Sequence, residues 1–140
     1  MQTIQARKKL TDEWRERGIE DGKEYAILTN EMTKAWSGQT VRQYKELKGL
    51  KKESLRDNMT DIELALNMLA EVTTTAISAQ EKPATFEESR KVAKRGGDVA
   101  KDARKSVEKQ LGQTVVSPLN AKNAQQLTTK KGNSDIPDDE

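Results

Sequence analysis

"LRDNMTDIELALNMLAEVTTTAIS", residues 55–78, is where a strongly polar chain gathers its apolar side chains. Thr60 followed by Glu63 is a capping-box pattern. The hydroxyl and the carboxylate satisfy each other's free backbone N–H groups at the start of a helix. Behind this box, Ile62, Leu64, Leu66, Met68, Leu69, Val72, Ala76 and Ile77 cover most of a helix circumference. A helix apolar nearly all round is one that other helices surround. The stretch therefore predicts a central post over 61–79, with Leu66 and Leu69 in the core. Leu55 and Met59 just before it suggest one short turn.

Working outward, the neighbours are helical too. Toward the N-terminus, Thr40 can cap a short helix in which Val41, Tyr44 and Leu47 take the buried side, and Gly49 ends it. Before that, "KEYAILTNEMTKAWSG" (23–38) puts Tyr25, Leu28, Met32 and Ala35/Trp36 on one helical face and closes at Gly38. Gln2 to Arg17 carries Leu10 and Trp14 four apart and ends at Gly18. Trp14 and Trp36 lie on the apolar lines of their helices and are expected in the core.

Toward the C-terminus, Pro83 makes a break and Thr85–Glu88 repeats the cap pattern. The last helix runs to Leu111 and Gly112 along Val92, Gly96, Val99/Ala100, Ala103, Val107 and Leu111. Two helical glycines cost roughly 1 kcal/mol each against Ala. Gly96 and Gly97 therefore mark a close crossing or a break, and we read a continuous helix. "TVV" at 114–116 is the one strand candidate. The expected fold is all-α: a small bundle of about five helices around the central apolar helix. The organisation is a helical domain over 1–121 and a disordered polar, acidic tail over 122–140.

Of the 140 residues, 33% are hydrophobic and 34% charged, so the core is modest. There is no histidine and no cysteine, which removes most nucleophile–base pairs and nearly all transition-metal sites. An enzyme is not expected, nor a cofactor, a metal or a small-molecule substrate. Asp57, Asp61 and Glu63 could hold Mg²⁺, but two of them sit in a first helical turn, where negative charge suits the dipole. No apolar run approaches the ~20 residues that span a bilayer. A soluble, cytoplasmic protein is the expectation.

Net charge is only +2, yet its distribution is uneven. Residues 41–56 hold six basic and two acidic side chains, and residues 90–109 hold eight and three. Helix 24–36, the turn "SGQT" and helix 40–48 resemble a helix-turn-helix. On that reading Arg42, Lys45, Lys48, Lys51 and Lys52 form one exposed surface for phosphates or base edges, with Arg56 beyond. Lys91, Lys94, Arg95, Lys101, Arg104 and Lys105 form a secondary basic face. Acids at i,i+3 and i,i+4 favour a solvated face there.

Three blocks carry a resemblance: "YAILTNEMTKAWSG" (25–38), "YKELKGLKKESLRDNMTDIELALNMLAE" (44–71) and "AKRGGDVAKDARKSVEKQLGQTVVSP" (93–118). Over roughly residues 5–121 the chain resembles the C-terminal region of bacterial DNA-damage-inducible protein D and its BRO-family relatives. The most specific part is Tyr44 to Glu71. Members of that family usually carry an N-terminal BRO domain, regarded as the DNA-binding part, and this chain is expected to lack it. The resemblance implies a non-enzymatic protein of the DNA damage (SOS) response or of mobile elements. It also implies a functional surface at Lys48, Gly49, Leu50, Lys51, Lys52, Arg56, Asp57 and Asn58. The expected activity is regulation through DNA or a DNA-bound recombination protein. The alternative is a protein-binding or self-assembling helical module with no nucleic-acid contact.

Overall fold

The computed structural model describes residues 2–122. It contains five α-helices: α1 (Gln2–Glu16), α2 (Lys23–Ser37), α3 (Val41–Leu47), α4 (Asp61–Glu81) and α5 (Phe86–Leu111). A single 3-10 turn, Arg56–Asn58, precedes α4. Among the described residues there is no strand. The "TVV" candidate is an irregular segment whose Val115 is buried. The tail expected to be disordered lies, beyond Lys122, outside the described residues.

Thr40, Thr60 and Thr85 all cap helices, and the box is reciprocal at the first two but not at Thr85, where Glu88 accepts from Ala84. Thr60 accepts from the N–H of Glu63 at 3.3 Å while the Glu63 carboxylate accepts from the N–H of Thr60 at 2.8 Å. Thr40 and Gln43 make the same reciprocal pair at α3. Thr85 accepts from the N–H of Glu88 at 3.1 Å at α5, and Glu88 takes the N–H of Ala84 at 2.8 Å.

The two helical glycines are crossings. A Cβ on Gly96 would lie 1.8 Å from Thr74 Oγ1, and one on Gly97 would lie 2.5 Å from the Met32 carbonyl oxygen. So α5 runs unbroken and meets α4 at the first glycine and α2 at the second. Ala93 and Ala100, one turn away on either side, are fully buried and keep this face flat. Backbones come this near only where both faces are small.

The core joins Leu10 and Trp14 of α1, Leu28, Met32 and Trp36 of α2, Tyr44 of α3, and Leu66 and Ala70 of α4. The Trp14 and Tyr25 rings lie 5.4 Å apart, and the Trp36 and Tyr44 rings 6.1 Å. Trp36 Nε1–H donates to Asn67 Oδ1 at 3.3 Å, so the buried indole is not left without a partner.

The central post differs from its sequence reading in one respect. α4 does pack on α1, α2 and α5. Yet its buried residues are Glu63, Leu66, Asn67, Ala70, Glu71, Thr74 and Ser78, whereas Ile62 and Val72 are 39% and 52% exposed. Leu69 is only partly buried against the core. Opposite Gly96 of α5 only a small residue, Thr74, fits, while Glu63, Asn67 and Glu71 turn inward to Lys48, Trp36 and Arg56.

Candidate nucleic-acid interface

α3 and the loop after it are set by one buried carboxylate. Glu63 Oε1 accepts from Lys48 Nζ at 2.7 Å, and both side chains are 0% exposed. Glu63 Oε2 accepts from the Tyr44 hydroxyl and from the N–H of Ser117 at 2.9 Å. Together with the cap at Thr60, four donors converge on one carboxylate, and a buried charge needs that degree of compensation. Burial, reinforced by the neighbouring Glu63, pushes the Tyr44 phenol well above its ordinary value. Lys48 also donates to the Leu119 carbonyl, and Asn120 Nδ2 donates to the Lys48 carbonyl at 2.9 Å. The segment 115–120 is thereby sewn to α3.

This corrects the expected surface. Lys48 is not on it. The inward side of α3 follows Tyr44 and Lys48, four apart, and not Tyr44 and Leu47, which leaves Leu47 40% exposed. A helix turns about 100° per residue, so three-residue steps drift off the buried face while a four-residue step returns to it. Arg56 is also withdrawn, partly buried against Glu71. Burial pushes the Glu71 carboxyl above its usual range, opposed by the charges of Arg56 and Arg7.

The remaining cations converge. A groove of about 890 Å³ between α2 and α3 is lined by Arg7, Lys23, Arg42, Lys45, Lys51 and Arg90, with Glu31 and Glu46 as its only acids among the described residues. Its apolar lining includes Ala26, Ile27, Val41 and Leu50. Asn30 Oδ1 accepts from the N–H of Val41 at 2.8 Å and so fixes α3 on α2. Lys51 is placed by its backbone, which donates to Glu53 at 2.7 Å. Arg42 meets Glu46 at 3.6 Å and Arg90 meets Glu31 at 3.0 Å. Lys23, Lys45 and Lys51 make no ion pair among the described residues, and Lys52 lies exposed next to them.

Arg7, Lys23 and Arg90 were missed by the sequence reading. They come from α1, α2 and α5; Arg7 begins the basic run 7–9 and Arg90 opens the 90–109 stretch, but nothing local points either run at this groove. Only the fold brings them to the Arg42–Lys51 corner.

Half of the secondary basic face is neutralised. Lys94 pairs with Asp98 at 3.1 Å, and Arg95 grips Glu81 through two bonds of 2.8 and 2.9 Å. Arg104 donates to the Trp36 carbonyl at 2.8 Å and pairs with Glu108 at 3.0 Å. Lys91 and Lys105 are exposed and Lys101 is half-buried.

Asp57, Asp61 and Glu63 do not converge, because Glu63 turns inward to Lys48. Among the described residues no group of three or more acidic side chains is placed to hold a metal ion. No helix of the described residues is long and apolar enough to cross a membrane.

A family model described as the DinD C-terminal domain matches residues 1–127. No curated protein and no solved structure matches the chain.

Proposed function

The chain belongs to the DinD C-terminal domain family, which gives it a DNA-damage-related role, and we propose that it fills that role as a non-enzymatic regulator binding nucleic-acid phosphates in the α2–α3 groove. The observation that carries the reading is that Lys23, Lys45 and Lys51, which make no ion pair among the described residues, share one groove with an apolar part to its lining. A phosphate backbone is the ligand such a site suits. Each contact displaces condensed counterions, a gain that pairing with a neighbouring carboxylate would already have used up. Arg42 and Gln43, exposed on α3, are the side chains nearest to a base-reading role. Phosphate contacts carry no sequence information, so binding is expected to be weakly sequence-dependent.

Fluorescence anisotropy with duplex and single-stranded oligonucleotides at low salt tests this reading. Binding to at least one, weakened by Lys45→Gln with Lys51→Gln, is the expected result. Failure of the chain to bind either oligonucleotide removes the reading.

A further inference from the structure

The two faces of α4 are chemically inverted. The face turned toward the other helices carries Glu63, Asn67, Glu71, Thr74 and Ser78 beside Leu66 and Ala70. The opposite face carries Ile62, Ala65, Leu69, Val72, Ala76 and Ala79, at steps of three, four, three, four and three. That alternation is the a/d seam of a coiled coil. Ile62 and Val72 are exposed, as are Ala65, Ala76 and Ala79, and only Leu69 leans on the core. At 1.5 Å per residue the seam runs about 26 Å. A continuous apolar stripe of this length on a helix is an interaction surface, not scattered exposure.

We propose that this face joins two copies of the chain in a symmetric dimer, α4 lying antiparallel on α4. Size complementarity points to this arrangement. Antiparallel pairing sets Ile62 over Ala79 of the second copy, Ala65 over Ala76, and Leu69 over Val72, so large side chains meet small ones at both ends. Charge points the same way. Asp61 and Lys82 flank the seam at opposite ends, both exposed and neither in an ion pair among the described residues. The two-fold axis brings each Asp61 to the Lys82 of the second copy. Parallel pairing would gather both aspartates at one end and both lysines at the other. The flanking positions between them, Leu66, Met68, Thr73, Thr75 and Gln80, are uncharged and oppose neither arrangement. The rest of the chain is a poor occupant, since residues 123–140 offer only Leu127 and Ile136 as large apolar side chains.

Sedimentation equilibrium of the full chain from micromolar to millimolar concentration is the first test. A concentration-dependent monomer–dimer equilibrium is expected. Ala76→Glu should raise the dissociation constant by about tenfold or more, with circular dichroism unchanged because the position is exposed. Asp61→Lys alone should weaken the dimer, and adding Lys82→Asp should restore it. The chain has no cysteine, so orientation can be read directly. Chains carrying Ala65→Cys should crosslink to chains carrying Ala76→Cys and not to one another. A monomer at every concentration overturns the proposal, as does a dimer indifferent to Ala76→Glu. Ready crosslinking of Ala65→Cys chains to one another overturns the antiparallel arrangement.

Discussion

Residues 41–56 and 90–109 both carry an excess of lysine and arginine, and among the described residues the fold pairs half of the cations in each, by different means. In the second stretch the backbone is one 26-residue helix, α5. Such a helix offers a neighbour one turn away at every position, and Lys94–Asp98 and Arg104–Glu108 use it. In the first stretch the helix is seven residues long and holds one such pair, Arg42–Glu46. The remaining cations there divide into two groups. Lys48 and Arg56 go inward to Glu63 and Glu71, while Lys45, Lys51 and Lys52 stay outward without an ion pair among the described residues. Basic composition alone does not locate a binding face. What locates it is which of the remaining cations the fold gathers on one groove, as it does Lys45 and Lys51 with Lys23.

Two carboxylates, Glu63 after the first stretch and Glu108 within the second, both hold the segment after α5. Glu63 takes the N–H of Ser117 and Glu108 takes the N–H of Val115 at 2.9 Å each. Glu63→Ala should have the largest effect. It strands the Lys48 ammonium with 0% exposure, and an uncompensated buried charge costs about 3–5 kcal/mol. The thermal midpoint should fall by roughly 10 °C or more, read by circular dichroism. A midpoint close to that of the unmodified chain would break the division of cations described above.

Glu108→Ala should cost less, about 1–2 kcal/mol, because its partners remain partly solvated. Glu108 also gives a pH signature. The Val115 N–H, followed by Arg104, holds its carboxyl below the usual range. The ionised form is therefore favoured by folding. Its contribution is present above the ordinary carboxylate range and is lost as pH falls through the depressed folded value. Glu108→Gln should remove that component of acid destabilisation in melts taken at successive pH values. An unchanged pH profile would detach Glu108 from the segment it is said to hold.

The smallest effect belongs to the α5 surface. Lys91→Gln, Lys94→Gln and Lys105→Gln together should move the midpoint by no more than about 2 °C. A large loss would mean that this face contributes to stability beyond its side-chain pairs.

Much of the fold was legible because its signals are local. Thr40, Thr60 and Thr85 each announce a helix start, and Gly96 and Gly97 announce a crossing. The site was legible only in part. Arg42, Lys45, Lys51 and Lys52 were readable as a cluster because they are neighbours in the chain. Lys48 was misplaced because its partner, Glu63, already had an explanation as a cap, and nothing local says that one carboxylate does both tasks. Arg7, Lys23 and Arg90 were invisible for the opposite reason, since three separate helices bring them to the groove. The inverted faces of α4 were hidden as well. Which side of an apolar helix faces inward depends on residues distant in the chain, here Gly96 across from Thr74, and Lys48, Trp36 and Arg56 as partners of Glu63, Asn67 and Glu71.

We propose that the α2–α3 groove, and not the α5 face, meets phosphate. Oligonucleotide affinity measured against salt concentration tests it, for the unmodified chain and two triple variants. Each phosphate contact contributes nearly one unit to the slope of log affinity on log salt. Lys23→Gln with Lys45→Gln and Lys51→Gln should flatten that slope by roughly two to three units. The Lys91, Lys94 and Lys105 variant should leave it unchanged. A slope that survives in the groove variant and flattens in the α5 variant would contradict the account.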